Sequence, residues 1–326
     1  MLKQLAIVCC CFLLVYCDAS VPVGERDRQP VLLALPLQPS SGLGHIAMLK
    51  GFFSEVGLEV NSQSFASGKL ALQYAAKQPE KVDLLFCSGV ALLAQRETLL
   101  QDYLIVASVF TTSDLNAIVV RSDSQVVSGA DLKGKTIGTQ RNSAIHYFAN
   151  AVVERNGISD VTWRYYPAKQ LASALASGDV DAISAREPFI SQAMTRLDGQ
   201  TSELRFPGVY VQNELLLMRR GLSQSVVTRV LEGLLKAEDF VARNADQSKT
   251  LLAEKLGASP QFVDEFWQSS SYRVSLKQSL VPLLESQQRW LASAPREPGD
   301  MTVMQLIEAA PLTAVAKDRV SIITYD

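Results

Sequence analysis

Apolar and polar positions along the chain fall into one pattern that occurs twice. From residue 31, an apolar run, VLLALPLQ, precedes a Ser/Gly-rich turn, PSSGLG. The next stretch, HIAMLKGFFSEVG, carries apolar residues at helical spacing. A strand-like LEVNSQSF, a helical ASGKLALQYAAKQPEK and an apolar VDLLFCSG complete the first copy. The second copy reads KTIGTQ, RNSA, IHYFANAVVERNG, VTWRYYP, AKQLASALASGD and VDAISARE. Both first helices stop at a glycine, Gly57 and Gly157, where a left-handed residue ends a helix at least cost. Both third strands open on Val-Asp, Val82-Asp83 and Val180-Asp181. Strand-helix-strand-helix-strand, twice, predicts an α/β protein of two lobes with mostly parallel sheets. NAIVV, residues 116–120, reads as a strand leaving the first lobe, and VYVQNELLLM, residues 209–218, as the strand returning to it. Lobe 1 is therefore expected over 31–116 plus 210–326, and lobe 2 over 117–209, joined by two crossing segments. The C-terminal third is helix-rich, with Val227, Val230, Leu231, Leu234 and Leu235 on one stripe. It holds too little strand for a third sheet and is expected to pack back on lobe 1.

The first residues break the pattern. MLKQLAIVCCCFLLVYC has one early Lys and then an apolar run, too short to span a bilayer and suited to a secretion signal over residues 1–17. Four of the five cysteines lie there, so a disulfide framework is not expected, and adjacent Cys suit neither tetrahedral zinc nor a CxxC motif. Leu14-Val15-Tyr16-Cys17 resembles a bacterial lipoprotein processing site, which makes Cys17 a candidate for acylation. Tyr16 departs from that pattern, and cleavage after Ala19 or Ser20, releasing a soluble protein, is the alternative. Residues 18–30, polar and Pro-bearing, read as a tether. A net charge of −2 with scattered basic residues excludes a nucleic-acid footprint.

Candidate chemistry lies at the strand ends. In lobe 1 these offer Gln38, Ser40 and Ser41, then Ser67 and Gly68, then Ser88 and Gly89. In lobe 2 they offer Gln140, Asn142, Ser143 and Ala144, then Arg186 and Glu187. Helices start just after most of them, so free backbone N–H groups and the positive dipole end suit an anion. Capping alone accounts for any single Ser or Asn. The case for a site is their convergence, because strand ends of two facing lobes line one cleft.

QPSSGLGHIAMLKGFFSEVGLEV, ASGKLALQYAAKQPEKVDLLFCSG, VSGADLKGKTIGTQRNSAIHYFANAVVERNG and ALASGDVDAISAREPF together resemble the periplasmic substrate-binding proteins of ABC importers. More narrowly, they are similar to the nitrate/sulfonate/taurine group (SsuA/THI5-like, NMT1-like), which shares its fold with thiamine-pyrimidine precursor proteins. The resemblance covers about residues 30–220. It implies a type II, two-lobed, hinge-closing binding protein for a small anionic or pyrimidine-like ligand, periplasmic or at the cell surface. It implies a permease and an ATPase as partners, a membrane attachment only through the lipid on Cys17, and a monomer. Carried by residue, Ser143 and Ala144 match the turn that holds an anionic group. Ser40 and Ser41 match the first-strand loop, Ser88-Gly89 the third, and Glu187-Pro188-Phe189 the acidic-Pro-aromatic segment. Arg186 stands where that family often has an aromatic; in the cleft its planar fork would suit carboxylate, sulfonate or phosphate, and the alternative is an Arg on the rim making a surface ion pair.

No catalytic residue and no cofactor is expected. GxSxG, HExxH and GxxxxGK[ST] are absent from the sequence. Cys87 ends an apolar strand and reads as a buried filler. The only histidines, His45 and His146, sit in first turns of helices without a second ligand at metal spacing. His146, one turn after Asn142, is expected to reach the cleft and hydrogen-bond there. The alternative to a binding protein is a pyrimidine-precursor biosynthesis enzyme on the same fold.

Overall fold

A computed structural model describes residues 30–95, 102–292 and 302–323 of the 326-residue chain. The predicted signal, including Cys17, and all of the tether but Pro30 lie outside the described residues.

Two sheets organise the chain. The first has six strands in the order β11-β4-β10-β3-β1-β2. These are β1 (Pro30–Pro36), β2 (Glu59–Phe65), β3 (Leu84–Ser88), β4 (Tyr103–Thr112), β10 (Gln212–Arg219) and β11 (Ser270–Ser275). The second has five, β7-β6-β8-β5-β9. They are β5 (Asn116–Arg121), β6 (Thr136–Thr139), β7 (Thr162–Tyr165), β8 (Ala182–Arg186) and β9 (Thr201–Arg205). The repeated sequence pattern builds the parallel part of each, β2-β1-β3 and β7-β6-β8. The remaining pairs are antiparallel. The sheets are therefore mixed, not mostly parallel. A chain that crosses between halves and returns must run its crossing strands against the βα units they join.

The parallel parts are bordered by α1 (Gly42–Lys50), α2 (Phe52–Glu55), α3 (Gly68–Lys77) and α4 (Gly89–Leu93) in the first half. In the second half they are bordered by α5 (Ala144–Arg155), α6 (Leu171–Ala176) and α7 (Phe189–Arg196). The repeated Val-Asp pair does the same job in both. The Asp83 carboxylate accepts from the Leu32 N–H at 3.0 Å, and the Asp181 carboxylate from the Thr136 N–H at 2.7 Å. Each Asp also donates its own N–H back, to the Leu32 and Thr136 carbonyls at 2.8 and 2.9 Å. The start of each third strand is thereby fastened to the first strand of its half, and Arg219 pairs with Asp83 at 2.6 Å.

The C-terminal third contributes α8 (Gln224–Arg243), α9 (Ala245–Leu256), α10 (Pro260–Gln268), α11 (Leu280–Leu291) and α12 (Ala310–Val315). Along α8, Val226, Val227, Val230, Leu231 and Leu234 enter the first core; Leu235 lies at its edge. Gly233 permits this approach, since a Cβ there would lie 2.6 Å from the Phe53 ring. Two features depart from expectation. β11 adds a strand to the first sheet, and α11 serves both halves. Leu280, Val281 and Leu284 of α11 pack in the first core, while Leu283 and Trp290 pack against the second. A Tyr147–Ser286 hydroxyl contact of 3.0 Å strengthens that bridge. Residues 113–115 and 206–211 make the two crossings, held side by side by Asn116 Nδ2 donating to Gln212 Oε1 at 3.4 Å.

Candidate functional site

The C-terminal ends of the parallel strands face one another across a narrow cavity of about 60 Å³. Three helices begin at its wall, and a serine caps each. Ser67 Oγ accepts from the Leu70 N–H at 3.3 Å, Ser88 Oγ from Ala91 N–H at 3.4 Å, and Ser143 Oγ from His146 N–H at 3.5 Å. Ser143 also donates to the Gln140 carbonyl at 2.7 Å, which fixes the turn at the end of β6. In that turn Asn142 is left-handed, with φ 52°, a conformation Asn tolerates better than most residues. Gly68 is required for a different reason. A Cβ there would lie 2.8 Å from the Cα of Cys87, so only glycine lets α3 start this close to β3.

Three charged side chains line the cavity. Lys69, in the first turn of α3, is half-buried, and desolvation pulls its ammonium below the usual lysine range. Arg186, at the end of β8, is held below its ordinary value by burial, an effect that the nearby Glu214 opposes. Neither cation has a carboxylate within 4 Å or a hydrogen-bonding partner among the described residues. Glu214, from β10 of the other half, is 2% exposed. Its two oxygens accept from the Ser40 and Ser41 hydroxyls, each at 3.2 Å. Burial raises it to about 7, and Arg186 and the two hydroxyls hold it from going higher. A partly desolvated cation without a partner is costly, so the arrangement favours an anion that supplies the missing acceptors.

Of the residues singled out in the sequence, Gln38, Ser67, Ser88, Asn142, Ser143, Ala144 and Arg186 line this cavity together. Ser40 and Ser41 lie behind it, orienting Glu214. Gly89 faces away, toward Leu284 and Gln287 of α11. Glu187 is occupied by the N–H and hydroxyl of Ser191, at 3.1 and 2.9 Å, at the start of α7. His146 does not reach the cavity. Its Nδ1 accepts from the Asn142 N–H at 3.2 Å, and its ring packs between Trp163, Tyr165 and Trp290. Burial among these rings, with a smaller effect of the nearby Arg141, lowers its pKa to about 4 and keeps it neutral. His45 is likewise neutral, its Nε2 bonded to the Pro36 carbonyl at 2.8 Å. Cys87 is buried, and burial raises its thiol well above the usual value, which leaves it unreactive. Among the described residues no group of three His, Cys, Asp or Glu is arranged to hold a metal.

Sequence reasoning missed Lys69 and Glu214. The signal for Glu214 was legible, since one acid interrupts the apolar strand QNELLLM. Lys69 follows the Ser67-Gly68 pair directly, but an isolated Lys in a first turn carries no pattern.

The fold has counterparts among known proteins. A family described as NMT1/THI5 like matches residues 42–247, more than half of the chain. The chain belongs to that family. In fold, this NMT1/THI5-like chain is similar to the alkanesulfonate-binding protein SsuA of Xanthomonas axonopodis pv. citri bound to MOPS. The TM-score is 0.69 at 22% identity, covering 86% of this chain and 98% of that one. It is similar also to the periplasmic aliphatic sulphonate-binding protein SsuA of Escherichia coli, with a TM-score of 0.72 at 18% identity, covering 86% and 97%. A putative thiamine biosynthesis protein of Haemophilus influenzae is 24% identical over 241 residues, 70% of this chain and 74% of that protein. The architecture is thus the periplasmic-binding-protein fold, and no described helix is long and apolar enough to cross a membrane.

Proposed function

We propose that this protein is an extracytoplasmic solute-binding protein of an ABC importer, capturing a small organic anion between its halves. The observation that carries this reading is the pair Lys69 and Arg186, one from each half, both without protein partners at one cavity. The starts of α3 and α5 add backbone N–H donors from both sides. An anion touching both halves stabilises only the closed arrangement, so binding shifts the population toward closure. Residues 31–116 plus 210–326 act as one lobe and 117–209 as the other. Glu214 lines the same cavity and, once protonated, adds a hydrogen-bond donor toward the anion. The sulfonate-binding names of the structural relatives agree with this class. The partners are a permease and its ATPase, the chain acts as a monomer, and Cys17 carries a lipid that holds it at the membrane. The mass of the mature N-terminus tests that last point.

The name of the Haemophilus influenzae relative favours a second reading, a pyrimidine-precursor enzyme. One experiment separates the two. The mature chain is heated with methanesulfonate, nitrate, acetate or an aminopyrimidine, and the hit is then recovered and analysed. A binding protein shows a raised melting temperature and returns the compound unchanged. Consumption of the compound would establish the enzyme reading instead.

A further inference from the structure

The turn between β6 and α5 supplies more of the cavity wall than any other segment, through Gln140, Asn142, Ser143, Ala144 and Ile145. The N–H groups of Ser143 and Ala144 find no acceptor among the described residues, as is usual for the first N–H groups of a helix. They are therefore donors for a bound anion, provided that the turn holds them in place. Each residue before them is pinned. Gln140 accepts from the Ser143 hydroxyl at 2.7 Å, and the Arg141 guanidinium lies 4.4 Å over the Tyr165 ring. Asn142, at φ 52°, occupies a region that non-glycine residues adopt rarely, and its N–H donates to His146 Nδ1 at 3.2 Å.

That last bond gives His146 a role its packing does not require. The ring is 8% exposed and stands edge-on among Trp163 and Tyr165 of β7 and Trp290 of α11, with centroids 5.2, 5.2 and 4.7 Å away. A phenylalanine would fill such a space without the cost of burying a polar ring. What only the imidazole offers there is an acceptor for Asn142. The bond needs an unprotonated Nδ1, and burial keeps the ring neutral at ordinary pH. Trp290 comes from a helix packed in the first core as well, so the acceptor is braced from both halves.

We propose that His146, which does not itself line the cavity, is a positioning residue for the ligand. Its Nδ1 holds the Asn142–Ser143 turn so that the Ser143 and Ala144 N–H groups face the bound anion. The inference rests on the reading of this cavity as an anion site.

Two substitutions separate acceptor from ring. His146→Phe keeps a ring among the three aromatics and removes the acceptor. His146→Asn removes the ring and keeps an acceptor oxygen at the position of Nδ1. Methanesulfonate, nitrate and acetate are titrated calorimetrically into the mature parent and both variants, and melting temperatures are measured without ligand. His146→Phe should keep the melting temperature yet lose about tenfold in affinity for whichever of these anions the parent binds. His146→Asn should melt lower yet hold most of the parent's affinity. Affinity that follows melting temperature in both variants would overturn the proposal, as would an equal loss of affinity in both. Unchanged affinity in His146→Phe would do so as well, with the anion reading left standing. If none of the three anions binds the parent, the anion reading fails and this inference with it.

Discussion

At the scale of single residues, the cavity is defined by groups that the protein leaves unfinished. Arg186 and Lys69 carry charge into a partly desolvated space and find no acceptor there among the described residues. Charge-assisted hydrogen bonds in such a setting contribute roughly 1.5–3 kcal/mol each. Arg186→Ala should therefore abolish detectable binding of whichever anion raises the melting temperature. Lys69→Met should weaken it by about one to two orders of magnitude. Unchanged affinity in Arg186→Ala, read by calorimetry, would place that guanidinium outside the ligand's reach. Gly68 sets a different constraint. Because a Cβ would lie 2.8 Å from Cys87 Cα, Gly68→Ala must displace either α3 or β3. We expect about 1–3 kcal/mol of lost stability in urea denaturation, together with weaker ligand binding, since Ser67 and Lys69 move with the helix.

At the scale of elements, the repeated Val-Asp pair explains why the chain has two similar halves without needing the site to explain it. Asp83 and Asp181 each satisfy an N–H of the first strand of their half, which would otherwise lack an acceptor beside the sheet. Asp181→Ala should cost about 1–3 kcal/mol in denaturant unfolding, because it leaves a partly buried donor unpaired. Asp181→Asn, which keeps an acceptor oxygen, should recover much of the loss; an equal loss in both would mean that charge, not the acceptor, matters. This motif also shows what was legible in the sequence. Periodicity located the parallel βα units and the serines that cap α3, α4 and α5, because caps and glycine stops are local signals. It did not reveal β4, whose YLIVASVFTT is buried on both faces and so has no alternation to read. It misplaced His146, since nothing local announces that Trp163 and Tyr165 of β7 and Trp290 of α11 close over the ring. Trp290 comes from α11, some 140 residues away, and long-range packing of that kind leaves no trace in a window of one helix.

At the scale of the whole molecule, three buried titrating groups give stability a pH dependence of opposing signs. Burial lowers His45 and His146 to about 4, below the ordinary 6.5. Between pH 6.5 and 4 the unfolded chain takes up protons that the folded one resists, so both histidines reduce stability on acidification. Glu214 acts oppositely. Its folded value, about 7, lies above the ordinary 4.5, so the folded chain binds the proton first. The stabilisation from protonated Glu214 is fully present below about pH 4.5 and is lost as pH rises through about 7, a change on the order of 3 kcal/mol. Glu214→Gln removes this contribution alone. The stability of the parent relative to the variant should therefore fall between pH 5 and pH 8, measured by urea denaturation at each pH. A difference that stays constant over this range would mean that Arg186 keeps Glu214 ionised throughout. The same carboxyl links the fold to the proposed ligand. An anion that engages Arg186 withdraws the positive charge now opposing protonation of Glu214, and adds a negative one beside it. Binding near pH 7.5 should then take up protons. Calorimetry in two buffers of different ionisation enthalpy should detect that uptake in the parent, and it should vanish in Glu214→Gln.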